Sequence, residues 1–272
     1  SEAKAIIFDE KYLETVKKVQ EKENSNLKTL ICMDNIQEKG IKTFNEILEE
    51  GRNQIKNGDK KYDNIEIDEN KMSIMLFTSG TTNEPKAVML SQANICANIS
   101  NIACWVKLYP TDVLLSFLPI HHTFECTITF LYGFYSGSQV AFCDGLKHIQ
   151  QNLKEYKVSV FVAVPLVLET MYKKIQKAIE EQGKTGLINK MTKISNTLLK
   201  AKIDIRKIVF KQILDNFGGH LRVVLYGAAP MNKATIIGYN NLGISLVQGY
   251  GLTETSPVVT AETDKEKKPD PI

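Results

Sequence analysis

The sequence has no Cys-x-x-Cys pair, and its five cysteines, Cys32, Cys96, Cys104, Cys126 and Cys143, are an odd number. That pattern excludes a disulfide framework and implies isolated, reduced core thiols in a cytoplasmic protein. No apolar run is long enough to cross a bilayer, and no signal peptide is expected. No internal repeat occurs. Charge of one sign is also scarce: 34 Lys and Arg against 31 Asp and Glu leave +3, too little to argue for a nucleic-acid partner. Ser1 and the charged, Pro-containing tail from 261 onward are expected to be cut points, not natural termini. What remains is ordinary for a soluble globular chain, with 43% hydrophobic and 24% charged residues across 272 positions. That length allows one large or two small domains with a sizeable core.

Apolar runs of strand length alternate with stretches of helical spacing. Strands are expected at 4–8, 27–33, 74–77, 87–90, 112–118, 137–143, 158–164, 221–225 and 245–247. Helices are expected at 12–20, 44–52, from Ser91 (a plausible N-cap) to Val106, and at 232–239, with a loop at 53–70. The alternation implies an α/β, layered αβα fold with mainly parallel sheets. The segment 166–217 differs in character. Leu168, Tyr172, Ile175 and Ile179 fall at helical spacing, Gly183 and Gly186 break it, and Leu187, Met191, Ile194, Leu198 and Ile205 resume it. A third helix is expected at 206–217. Eleven Lys or Arg stand here against five Asp or Glu, a net +6. A solvated helix face explains this; a surface that docks on anionic membrane is the sharper alternative.

The chain is organised around 76–88, Leu-Phe-Thr-Ser-Gly-Thr-Thr-Asn-Glu-Pro-Lys-Ala-Val. Apolar runs flank a polar loop that suits an anion. Gly80 lets backbone approach closely, successive N–H groups can form a nest, Thr78, Ser79, Thr81 and Thr82 add hydroxyls, and Lys86 adds a point charge. It is not the phosphate loop of ATPases and kinases, which needs Gly before the Lys and Ser or Thr after it; Pro85 and Ala87 stand there. Two further small-residue loops follow apolar strands: Gly227-Ala228-Ala229-Pro230, and Gln248-Gly249-Tyr250-Gly251-Leu252-Thr253-Glu254. Loops after the C-termini of parallel strands share one edge, where ligands bind. Gly227, Ala228 and Ala229 leave room for a flat base, Tyr250 offers a stacking face, Thr253 a hydroxyl for phosphate, and Glu254 a hard oxygen for Mg²⁺. His121, His122, Glu125 and Cys126 do not have the spacing of a zinc site.

Thr-Ser-Gly-Thr-Thr-x-x-Pro-Lys resembles the signature of the adenylate-forming superfamily, which includes acyl-CoA synthetases. The family form usually carries Gly where this chain has Asn83 and Ala87. Tyr-Gly-Leu-Thr-Glu resembles the family's adenine and magnesium motif, Gly-Ala-Ala-Pro its adenine wall, and Leu118-Pro-Ile-His-His-Thr-Phe-Glu125 its motif at the acyl pocket, with His122 where His or an aromatic is usual. The helical segment after Pro165 most resembles long-chain fatty acyl-CoA synthetases.

The resemblance implies a long-chain fatty acid–CoA ligase that uses ATP, Mg²⁺ and CoA. Carboxylate attacks the α-phosphorus of ATP to give acyl-adenylate, and CoA then takes the acyl group, releasing AMP. Thr253, Glu254 and His122 would be catalytic. Thr78, Ser79, Gly80, Thr81, Thr82, Lys86, Gly227, Ala228, Ala229, Gly249, Tyr250 and Gly251 would hold nucleotide, and Glu254 would hold Mg²⁺. The family's ribose-binding Thr-Gly-Asp motif and its C-terminal lid domain with a catalytic Lys are not found before Ile272. Residues 1–272 are therefore expected to be a partial N-terminal AMP-binding domain, inactive alone. Three alternatives stay open: a nucleotide-binding pseudoenzyme or regulatory module, a docking module built on the basic helices, and a ligase for aryl or medium-chain acids.

Overall fold

The computed structural model describes residues 2–78 and 85–262. The chain divides into two compact units, Ser1–Ile67 and Asp68–Ile272. The first holds a parallel three-stranded sheet of β1 (Ala5–Phe8), β2 (Thr29–Cys32) and β3 (Ile41–Thr43), with β2 central. Helices α1 (Leu13–Gln20) and α2 (Phe44–Lys56) follow β1 and β3. Thr43 and Glu46 form a reciprocal capping box at the start of α2, which fixes where that helix begins.

The second unit opens with an antiparallel hairpin, β4 (Met72–Thr78) and β5 (Lys86–Ser91). Ser91 caps α3 (Gln92–Trp105) and shares a capping box with Asn94. A six-stranded sheet follows, built from β6 (Val113–Ser116), β7 (Gln139–Phe142), β8 (Val160–Ala163), β9 (Val223–Tyr226), β10 (Ser245–Gly251) and β11 (Val258–Ala261). Its order is β11-β10-β9-β8-β6-β7, and every pairing is parallel except β10 with β11. A π-helical segment, Glu125–Leu131, runs on into α4 (Tyr132–Tyr135) between β6 and β7. Helix α5 (Ile149–Glu155) leads to β8, and α10 (Lys233–Leu242) joins β9 to β10. Between β8 and β9 stand α6 (Pro165–Glu181), α7 (Thr185–Lys200), α8 (Arg206–Val209) and α9 (Lys211–Leu214).

Strand alternation sorts the central strands onto two cores. Leu115, Phe161, Ala163, Val224, Tyr226 and Leu246 pack with α5, α6 and α10. Leu114, Val160, Val162, Val223, Leu225 and Val247 pack with α3 and the π-helical segment. Burial on both faces explains why these strands are continuous apolar runs. It gives an αβα sandwich, the layered arrangement expected from sequence. Ile95, Ile99, Ile102 and Val106 are buried as their spacing implies.

The N-terminal edge of the sheet is tied by one polar cluster. Asp112 accepts from Ser159 Oγ at 2.7 Å, from Arg222 Nε at 2.8 Å and from the Tyr109 N–H at 2.8 Å. Arg222 Nη2 also donates to the other Asp112 oxygen and to the Lys107 carbonyl. These residues precede β6, β8 and β9, so one ion pair links the starts of three neighbouring strands.

Several expectations are corrected. The hairpin β4–β5 stands apart from the parallel sheet, because its two strands pair with each other. Residues 53–56 extend α2. Gly186 lies inside the first turn of α7, and the break rests on Gly183 at φ +65°. The expected helix at 206–217 is two four-residue turns and a 3₁₀ turn, Asp215–Phe217. Only Cys32 is a core thiol; Cys96 and Cys104 are exposed on α3, off the face that carries Ile95, Ile99 and Ile102. Strands β3 and β11 are additions to the elements expected from sequence.

Candidate active site

At the C-terminal ends of β9 and β10 a cleft of about 580 Å³ opens between α3, the 122–128 segment and β11. Its volume falls within the range of small-ligand sites. Thr78, His122, Ala228, Gly249, Tyr250, Gly251, Thr253 and Glu254 all line it. Four stretches that are far apart in sequence therefore meet at one place. Ser79, Gly80, Thr81 and Thr82 lie outside the described residues.

Each stretch is positioned by a local feature. Thr78 pairs with Lys86 at the end of the hairpin next to its connecting segment, which sets the Lys beside the Thr even though Lys86 is not itself in the cleft lining. The strand bearing Lys86 lies against the 3₁₀ turn Thr253–Thr255 that carries Glu254. Gly227 and Ala229 are also absent from the lining. Gly227 serves by letting two chains approach: a Cβ there would sit 2.8 Å from the Gly249 carbonyl and 3.5 Å from the Phe124 ring. Ala228 holds φ +69°, a left-handed conformation uncommon for Ala.

Gly249, Tyr250 and Gly251 are not a loop, as expected, but the second half of β10. Residues Ser245 to Gln248 pair with β9, and Gly249 to Gly251 pair with β11 through a register shift after Tyr250. Gly251 is forced by this geometry, since a Cβ would lie within van der Waals overlap of the Pro257 carbonyl oxygen and 2.8 Å from its carbon. Tyr250 is about half exposed, with its ring at the cleft. The aromatic buried beside the strands is Tyr226, whose hydroxyl donates to Gln248 Oε1 at 2.9 Å and is pushed well above its ordinary pKa by burial.

His122 Nδ1 accepts from the Phe124 N–H at 3.2 Å, so its ring folds back over the start of the helical segment. Glu125 does not line the cleft. It is fully buried and accepts from Thr129 Oγ1 at 2.9 Å, and burial pushes its carboxyl up, with the Thr129 bond opposing. Thr123 is buried at the cleft wall, and its hydroxyl has no hydrogen-bond partner among the described residues.

Three contributors were missed by sequence reasoning. Asn98 Nδ2 donates to the carbonyls of Thr255 (3.1 Å) and Val258 (2.8 Å), and its Oδ1 accepts from the Val258 N–H at 3.2 Å. It clamps the turn that carries Glu254 onto α3. The available signal was an Asn on the buried face of that helix, between Ile95 and Ile102. Asn101 and Trp105 line the cleft one and two turns further on.

Glu254 is exposed and forms no ion pair among the described residues. Among those residues no three His, Cys, Asp or Glu side chains converge. One free carboxylate suits Mg²⁺ carried mainly by phosphates and water, and does not suit a metal caged by protein.

A family model described as "AMP-binding enzyme" matches residues 1–272. The rat long-chain-fatty-acid–CoA ligase 5 is 29% identical over 259 residues, covering 88% of this chain and 37% of the rat protein. The mouse long-chain-fatty-acid–CoA ligase 6 is 29% identical over 282 residues, covering 95% and 39%. The chain thus spans about two-fifths of the length of these relatives. Among solved structures, a long-chain-fatty-acid-CoA ligase from Archaeoglobus fulgidus superposes with a TM-score of 0.67 at 21% identity, over 96% of this chain and 45% of that one. The fold, the motif order and the family match agree: this chain belongs to the AMP-binding enzyme family.

Proposed function

We propose that the chain is part of an ATP-dependent acid–thiol ligase acting on long-chain fatty acids. In the first step a carboxylate oxygen bonds to the α-phosphorus of ATP and the bond to pyrophosphate breaks. In the second the CoA thiol, losing its proton, bonds to the acyl carbon and AMP leaves. The observation that carries this reading is the meeting of Thr78, His122, Ala228, Tyr250, Thr253 and Glu254 around one cleft. Tyr250 stacks on the adenine, with the backbone of Gly227 to Ala229 as the wall beside it. Thr253 binds the α-phosphate, and Lys86 with the hydroxyls of Thr78, Ser79, Thr81 and Thr82 holds the β- and γ-phosphates. Charge on the triphosphate repels an incoming carboxylate, so these donors lower the barrier by neutralising it and aligning the two. Glu254 is the residue that would hold Mg²⁺, which supplies further charge neutralisation when bound.

The acyl chain lies against the apolar side chains of the cleft, which include Ile102, Trp105, Ile128 and Val259; His122 also lines it. The relatives named above carry long-chain fatty acid in their names, which supports that acid class for this chain. The whole protein is read as cytoplasmic.

Calorimetric titration with ATP·Mg²⁺ tests the reading. Saturable binding should weaken about tenfold or more in Lys86→Ala and in Glu254→Ala, since each removes a charged contact worth about 1.5–3 kcal/mol. Binding that is unchanged in both variants would refute the assignment of these residues.

A further inference from the structure

The opposite face of the six-stranded sheet carries a second, open cavity, also of about 580 Å³, lined by residues of α5, α6, α7 and α9. Its lining is mixed: Ile149, Met171, Ile175, Ile188, Ile213 and Phe217 give it an apolar part, and Gln and Asn side chains stand among them. Three lysines, Lys147, Lys174 and Lys184, also line it, and its lining contains no Asp or Glu. None of the three forms an ion pair among the described residues. Lys177 and Lys211, on the same helices but outside the cavity, do pair, with Glu181 and Asp215. Leu146 and Leu166 also line it, 70% and 73% exposed.

We propose that this cavity binds a single-chain anionic amphiphile, a long-chain acyl group with a carboxylate or phosphate head. The apolar part of a cavity of small-ligand size accepts one hydrocarbon chain, whose burial is favourable. Uncompensated ammonium groups at its margin select an anionic head over a neutral one. The site lies across the sheet from the cleft and does not rest on the cleft's reading.

Photolabelling with a diazirine analogue of palmitate, kept below its aggregation threshold, tests this on the 272-residue chain. Label is expected on peptides from 146–150 and 165–188, displaced by palmitate or by palmitoyl-CoA; whichever displaces at lower concentration identifies the head. Ala178→Trp, which fills the cavity from an exposed position, should cut that labelling at least fivefold, and Lys174→Glu with Lys184→Glu should weaken displacement at least fivefold. Label on 98–128 reports the first cleft separately, so the two sites fail or succeed independently. Absence of label on 146–150 and 165–188 at saturation overturns the proposal. So does labelling that Ala178→Trp leaves intact, or binding to anionic vesicles without any to the monomeric probe.

Discussion

Replacing Arg222 with Leu attacks the cluster that ties the starts of β6, β8 and β9. The substitution removes the Nε bond of 2.8 Å and the Nη2 bond to Asp112, and the 2.7 Å bond to the Lys107 carbonyl. The Asp112 side chain, only 5% exposed, keeps its partners Ser159 and Tyr109 but loses its counter-charge. Breaking a buried pair from one side costs about 3–5 kcal/mol. The Arg222 side chain is 28% exposed, so water can reach the orphaned carboxylate and the lower end applies, about 3 kcal/mol. Urea unfolding followed by Trp105, the single tryptophan and part of α3, reads the larger unit. With a slope of about 3 kcal/mol/M, the midpoint should fall by about 1 M. Burial is the largest influence on Asp112 and raises its pKa, but the bonds from Arg222, Ser159 and Tyr109 together bring it below the ordinary carboxylate value. A depressed folded pKa means the stabilisation is complete above the unfolded value of about 3.9 and lost as pH falls through the folded one. The gap between wild type and variant should therefore hold from neutral pH to about 4 and close below it. A midpoint shift under about 0.2 M at pH 7 would show that the pair contributes nothing net.

Gly251→Ala should displace β10 from Pro257, lower stability by about 2 kcal/mol and reduce ATP binding in calorimetry, because the turn bearing Thr253 and Glu254 must move. Thr123→Val should leave stability unchanged or raise it by about 1 kcal/mol in urea unfolding, since it removes a buried hydroxyl without a partner; a loss of stability would mean that hydroxyl is bonded. Asn98→Leu should cost about 2–3 kcal/mol and weaken ATP binding together, because three bonds to the 255–258 segment vanish at once.

The central sheet was legible because its strands are buried on both faces, which leaves short, uninterrupted Val, Leu and Ile runs in the chain. Short edge strands were not. Ile41-Lys42-Thr43 and Val258-Val259-Thr260-Ala261 are partly exposed and mixed in polarity, so burial left little imprint on them. Residues 206–217 carry helical spacing, yet Ile205, Phe210 and Asp215 end one short turn and begin the next. At the site, motif residues such as Tyr250 and Glu254 were readable because their types suit ATP chemistry. Asn98 and Trp105 were not, because they act through a helix whose dominant pattern is that of a core. The secondary structure of Gly249 to Gly251 was misread because glycines suggest a loop, while here they let β11 come close on the other side.

The π-helical stretch Glu125–Leu131 winds more loosely than the α-helix it runs into. Such a segment amounts to an α-helix that has absorbed one additional residue. Tyr132, at its far end, is moored by its hydroxyl to the Val106 carbonyl at 2.5 Å, so any change in length must be expressed upstream. Deleting one residue within 125–131 would restore α-helical winding and swing the 122–124 lip by about 100° about the helix axis. A single residue gained or lost in this stretch would thus redirect the wall of the cleft.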